Sequence, residues 1–392
     1  MTEAGPRQGT NLWDLAQMFL KLGVSSFGGP AVHIAMMERE VVRRRGWLSH
    51  EEFLDLLGAT NLIQGPNSTE MAIHIGHRRA GWAGLVVAGL CFILPAALIV
   101  TVIAWAYVKF GKLPQIEGVL YGIKPVIMAV VIQALWGLGC AAMKTWPLAV
   151  VGLTAAALNF AGVHELIILF GFGGLVAVGR GVGPRRKGTA SCLSALLIGL
   201  PNVPLLSVAG VSGTTVSFGL GTLFLFFLKV GSVLFGSGYV LLAFLRADLV
   251  ERWHWLTESQ LLDAIAVGQM TPGPVFTTAT FIGYVLGGPM AAFVATVGIF
   301  LPAFFFVAVS GPLVPRLRAS KVAGAFLDGV NVASLALMAV VTFHLGKAAL
   351  TDWVTLLLAV IAAFLLLRYR VSSALLVLGG AVVGVAMSVL RS

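Results

Sequence analysis

Gln64-Gly65-Pro66-Asn67-Ser68-Thr69-Glu70 is a polar break inside an otherwise apolar segment, and a less polar copy, Pro272-Gly273-Pro274-Val275-Phe276-Thr277-Thr278, follows 208 residues later. Pro66 lacks an N–H and clashes with the preceding turn, so it ends the helix before it. Asn67 followed three residues on by Glu70 has the form of a capping box, which predicts a new helix start. A helix that begins inside a bilayer presents unpaired N–H groups and a partial positive charge to whatever lies in front of it. Those are the elements of an anion site.

The surroundings of the break are membrane-like. The 392 residues are 58% hydrophobic and 11% charged, with a mean hydropathy of +0.95. Runs such as Leu85–Val108 show no ten-residue alternation, which excludes a barrel and leaves helices as the spanning structure. The net charge of +10 sits in short loops between apolar segments, so positive-inside orientation explains it and no nucleic acid is expected. Cys91, Cys140 and Cys192 are scattered singly and read as plain thiols. Met1–Asn11 is polar and lacks the apolar core of a cleavable signal. No GxSxG, HExxH, P-loop or dinucleotide motif is present, so no enzyme, cofactor or ATP-driven step is expected. His74 and His77 are three apart but lack a third ligand, and no metal site is expected.

The chain repeats itself. Phe19-Leu-Lys21-Leu-Gly23 matches Phe227-Leu-Lys229-Val-Gly231, and Phe27-Gly28, Trp47-Leu48, Asp55 and Gly65-Pro66 recur at the same offset. After one deletion Gly76, Gly81, Pro95 and Gly122 match Gly283, Gly288, Pro302 and Gly329. The domains expected are an N-terminal tail (1–11), a first membrane repeat (12–179), a linker (180–217) and a second, inverted repeat (218–392). Segment one, Leu12 to Met37, is interrupted at Ser25–Pro30, and segment two, Phe53 to Ile75, carries the polar break. Segments three to six run Trp82–Tyr107, Val119–Met143, Trp146–Gly162 and Glu165–Val178. Basic residues flank segment two on both sides, so it is expected to enter and leave by one face. Ser191–Val211, with Pro201 and Pro204, is read as not spanning. Five spans per half then invert the second half, and 16 of the 26 Lys and Arg fall on the cytoplasmic face against 7 outside. The fold class is therefore an all-α polytopic membrane protein, an inverted-topology internal repeat with broken and re-entrant helices, about 10 spans in all.

Inverted repeats with interrupted helices place substrate near the midplane, where glycine-rich backbone and hydroxyls approach it. The candidate substrate residues are Lys21, Ser25, Ser26, Gly28 and Gly29 at the first break, and Gln64, Gly65, Asn67, Ser68 and Thr69 at the second. Lys229, Gly236, Ser237, Thr271, Gly273 and Thr277 are their second-half counterparts. The bland reading of these breaks is a set of packing kinks. A lysine at mid-span is expensive unless it faces a cavity or partner, although Lys21 and Lys229 could also snorkel to the interface. Lys124, before Pro125, is a secondary cation. Glu70 either caps its helix or serves as a proton-coupling carboxylate, since its counterpart is Thr278. Asp55 and Asp263 read as acids at helix starts.

Phe19-Leu-Lys-Leu-Gly-Val-Ser-Ser-Phe-Gly-Gly-Pro30, Trp47-Leu48 with Phe53, and Gln64-Gly-Pro-Asn67 resemble the chromate ion transporter family in its long-chain, two-domain form. Gly231–Gly238, Thr271-Pro-Gly-Pro274 and Gly329-Val-Asn331 look like that family's second copy. The resemblance implies a multi-pass protein of the inner (plasma) membrane that exports chromate, driven by membrane potential or proton gradient, and confers chromate resistance. It also implies a link to sulfate, a tetrahedral oxyanion of the same charge. The partners expected are chromate or sulfate as substrate, the lipid bilayer and, as an open option, a second copy of the chain. A sulfate transporter, an anion channel and a non-transporting scaffold are the alternatives.

Overall fold

The computed structural model describes residues 11–27, 29–60, 65–111, 114–143, 145–181, 217–234, 241–369 and 371–391, and every regular element among them is helical. Gly28, Gln64, Gly236 and Ser237 lie outside this set, as does most of the 180–217 linker with Ser191–Val211. Four stretches are long and apolar enough to cross a membrane: Asn67–Phe110, Ile116–Cys140, Val275–Ser310 and Val322–Ala349. Shorter apolar helices accompany them, among them Trp146–Phe160 and Leu220–Val233. The molecule is a helical membrane protein.

The first half contains α1 (Leu12–Ser25), α2 (Pro30–Glu38) with a π-helical turn at Arg39–Arg44, α3 (His50–Thr60) and α4 (Asn67–Phe110). It continues with α5 (Pro114–Ala142), α6 (Trp146–Phe160) and α7 (Glu165–Gly181). The second half contains α8 (Leu220–Val233), α9 (Leu241–Leu245) with a π turn at Arg246–Arg252, and α10 (Glu258–Met270). After a 3-10 turn at Val275–Thr277 come α11 (Thr278–Ala319), α12 (Lys321–Ala349), α13 (Trp353–Phe364) and α14 (Ser373–Arg391). Pro30 opens α2 after Gly29, whose φ of 82° releases the chain from α1.

Two of these helices are folded in two. Ala80 (φ −138°, ψ 24°) and Gly81 (φ 60°, ψ −144°) break α4 into a short and a long arm. Gly287 (φ −154°, ψ 22°) and Gly288 (φ 73°, ψ −160°) do the same to α11. The arms double back closely enough that Gly76 meets the Gly84 backbone and Gly283 meets Ala291, with no room for a side chain between them.

The start of α3 and the end of the short arm of α4 lie side by side. Arg79 Nη1 donates to the Trp47 carbonyl at 3.0 Å, and Arg78 reaches Glu52 at 3.0 Å. The guanidiniums of Arg45 and Arg79 lie 4.8 and 5.5 Å from the Trp47 ring. This end of the molecule, with Arg39–Arg45, is the arginine-rich face.

The long arms run in opposite directions. Tyr107, near the far end of α4, packs its ring at a tilt against Phe281 in the short arm of α11 at 5.2 Å. Ala303 and Val307, far along α11, cluster with Ile73 and Leu85 at the start of α4. The halves also interlock through glycines. Gly118 and Gly122 on α5 face Gly384 and Gly380 on α14, and Gly329 on α12 faces Phe172 and Gly173 on α7. Small residues let these backbones approach, which drives helix association in lipid.

Two expectations are corrected. The capping box at Asn67 and Glu70 does not form: Pro66 is the N-cap, its carbonyl accepts from the Thr69 and Glu70 amides, and no side chain caps the helix. Pro66 holds φ −77° and ψ 93°, an extended geometry that makes it the N-cap, so the helix starts one residue earlier than expected and Asn67 falls inside the first turn. Nor does the first segment of the second half run straight through. Phe218 meets Trp255 at 5.4 Å, Phe226 meets Trp253 at 5.3 Å and Lys229 meets Asp248 at 2.5 Å. In a continuous span Lys229 and Asp248 would lie roughly 28 Å apart. The chain therefore reverses between α8 and α9, because hydropathy marks an interruption without saying whether it kinks or turns back.

Candidate functional site

The breaks of the two halves meet and exchange hydrogen bonds. The Gly65 amide donates to the Leu234 carbonyl at 2.8 Å, and the Gly273 amide donates to the Ser26 carbonyl at 2.9 Å. Ser26 and Leu234 are repeat equivalents, as are Gly65 and Gly273, so each half gives and receives the same bond. Their backbones agree as well: Ser26 holds φ −84° and ψ 92°, Leu234 φ −69° and ψ 108°. Gly65 and Gly273 have φ of 136° and 90°, which only glycine adopts without strain. Gly273 touches Ala96 and the Gly23 carbonyl, while Gly65 lies near Ala303. Gly23 and Gly231 pack against the long arms beside Pro95 and Pro302. Helices α1, α3, α8 and α10 therefore end around one point, and α2, α4 and α11 begin around it.

The two sides of this centre differ in polarity. On the second-half side Thr271, Thr277 and Thr278 donate their hydroxyls to the carbonyls of Val267, Pro274 and Val275 at 2.8–2.9 Å. Those hydroxyls are spent on the local backbone. On the first-half side the buried Ser26 Oγ, Thr69 Oγ1, His33 Nδ1, His74 Nε2 and both Glu70 carboxyl oxygens have no hydrogen-bond partner among the described residues. Glu70 is fully buried, with Oε1 against Gly65. Buried polar atoms of this kind call for water, an ion or a substrate.

The other sequence candidates distribute as follows. Gly29 and Ser68 are buried and Asn67 is half-buried at the break, whereas Ser25 is exposed and donates to the Lys21 carbonyl at 2.7 Å. Lys21 is exposed, and its ammonium has no polar partner among the described residues. Lys229 is tied up instead. Its ammonium pairs with Asp248, which also pairs with Arg252, and Arg252 reaches Glu165 on α7 at 2.9 Å.

Lys124 stands apart from the four breaks. It pairs with Asp263 at 3.0 Å and donates to Ser259 at 2.7 Å, while Tyr107 donates to the other Asp263 oxygen at 2.9 Å. A cavity of about 400 Å³, lined by Tyr107, Glu117, Tyr121, Lys124, Ser259 and Asp263 among others, opens at this end of the long arm of α4. Asp263 is thus a partner rather than a simple helix-start acid. That pairing joins residues 139 positions apart and leaves no local signal. His33 was also missed. It is buried, with Nε2 3.1 Å from the Ser26 carbonyl and its ring edge-on to Phe92 at 5.7 Å. An ionisable residue inside an apolar segment was the signal that could have found it.

The sequence profile of the chromate transporter family matches residues 13–178 and again 221–385. A probable chromate transport protein of Synechococcus elongatus is 32% identical over 354 residues, 90% of this chain and 89% of its own length. Chromate transport proteins of Cupriavidus metallidurans and Pseudomonas aeruginosa are 30% and 32% identical, over 95% and 84% of this chain and 92% and 80% of their own lengths. No solved structure matches.

Proposed function

Because the chain belongs to the chromate transporter family, we propose that it exports chromate across the plasma membrane, binding the dianion where its four helix breaks meet. The observation that carries this reading is the reciprocal exchange Gly65 to Leu234 and Gly273 to Ser26. Those bonds gather helix N-termini, flexible backbone and unpartnered hydroxyls at one place, which suits a compact tetrahedral oxyanion. Ser26, Asn67, Ser68 and Thr69 supply donors from the first half. Gly65 and Gly273 let backbone amides approach, and the second-half threonines set the shape of the opposite wall. Lys21 acts as an outlying cation that attracts the anion, whereas Lys229 and Lys124 are held in ion pairs with Asp248 and Asp263.

In this reading repeats 12–179 and 218–392 are inverted, which the opposed long arms of α4 and α11 support. The arginine-rich face is cytoplasmic by the distribution of positive charge. Glu70 is the coupling carboxyl, since its buried oxygens lack partners among the described residues and its counterpart Thr278 cannot ionise.

Purified protein in vesicles loaded with chromate tests the assignment. Saturable chromate loss, inhibited by external sulfate and accelerated by counterflow, is expected. Flux that neither saturates nor supports counterflow would mean a channel, and no chromate-dependent flux in either direction would refute transport.

A further inference from the structure

We propose that Glu70, His74 and His77 form a proton path from the broken centre to the arginine-rich face, and that only the first half possesses it. The proposal rests on the reading of the four breaks as the substrate site and of Glu70 as its coupling group.

The three residues lie at i, i+4 and i+7 on the short arm of α4, one face of one helix. They grade outward: Glu70 is 0% exposed, His74 8%, and His77 is half-buried with its ring 5.3 Å from that of Trp82. The steps along the helix are about 6 and 4.5 Å, distances that single bridging waters cover. Both Glu70 oxygens and His74 Nε2 are buried without partners among the described residues, as is Thr69 Oγ1 beside them. Polar surroundings of this kind hold ordered water. Gly76 packs against the Gly84 backbone of the long arm.

Few other ionisable groups come from the neighbouring elements. From α2 comes His33, whose ring lies against Phe92 of the long arm and whose Nε2 is 3.1 Å from the Ser26 carbonyl. From α3 come Asp55 and Glu52, the latter paired with Arg78, and Arg79 is bonded to Trp47. Lys21 of α1 is exposed, and the facing part of α11 offers Ala303, Phe304 and Val307. The second-half equivalents of the stripe are Thr278, Phe281 and Tyr284, which cannot relay a proton in the same way.

The transfer conserves the proton. It leaves the Glu70 carboxyl through water for the free His74 nitrogen, the opposite imidazole nitrogen releases one toward His77, and His77 gives it to water at the arginine-rich face. Imidazole suits this because one ring nitrogen accepts a proton while the other donates one.

The test uses the full chain in vesicles carrying a trapped pH dye. Two rates are compared: chromate flux driven by a pH gradient, and chromate self-exchange at equal pH. His74→Gln and His77→Gln are expected to lower the gradient-driven flux and the dye signal on the order of tenfold or more while keeping self-exchange. Gradient-driven flux equal to wild type in both variants would overturn the path, as would wild-type chromate flux without proton movement. Loss of wild-type self-exchange would instead strike the chromate reading. The path is then judged by infrared spectroscopy, with the carboxyl band assigned by Glu70→Gln. Hydrogen–deuterium exchange of that band should slow in the histidine variants, and unchanged exchange would refute the path. His77→Gln, at a half-exposed position, serves if His74→Gln does not yield folded protein.

Discussion

Gly273 is required for two separate reasons, its backbone and its space. Its φ of 90° disfavours any side chain, and a Cβ there would lie 2.6 Å from that of Ala96. Gly273→Ala should therefore lower stability by about 2–5 kcal/mol, from strain and overpacking together, and weaken chromate flux. Gly221→Ala, where a Cβ meets nothing within 4 Å, should be neutral or raise stability by up to about 1 kcal/mol. Thermal unfolding in detergent checks both, and equal midpoints would contradict the crowding at the centre. At this scale the glycine–proline breaks were legible, because proline cannot continue a helix and glycine alone tolerates these angles. The role of Glu70 was only half legible. A carboxylate three residues after Asn67 has the pattern of a cap, and whether it bends back depends on where Pro66 sets the helix start. The partner of Lys229 was not legible at all, since Asp248 reaches it only through a chain reversal.

Helices and their interruptions were mostly visible in the sequence: segments three to six correspond to the long arm of α4 and to α5, α6 and α7. What hydropathy could not tell is the direction taken after an interruption. The α8 reversal is sealed by aromatic contacts, Phe226 on Trp253 and Phe218 on Trp255, and by the ion pairs of Asp248 with Lys229 and Arg252. None of these pairs has a sequence spacing that marks a helix face. Cysteines placed at Ser217 and His254, both exposed, should react with an impermeant thiol reagent from the same side of the membrane. Reaction from opposite sides would mean that α8 and α9 form one broken span.

For the molecule as a whole, duplication was the most legible property, because glycine, proline, tryptophan and lysine recur in register. Contacts between halves were not, since they depend on how the copies are rotated together. In the inverted arrangement Arg43→Cys and His254→Cys label from opposite faces, and labelling from one face would refute the inversion. The reciprocal bonds at the centre also bear on the order in which the protein can be made. The Gly65 amide and the Ser26 carbonyl leave the ribosome long before Leu234 and Gly273, by roughly 10–50 s at ordinary elongation rates. An unsatisfied backbone group in hydrocarbon costs several kcal/mol, so during that interval the nascent first half must keep its centre wet or shielded. Completion of the second hairpin is thus the moment at which the first becomes a stable membrane resident, and a ribosome stalled before residue 273 leaves a half-protein that quality control can recognise by its open centre.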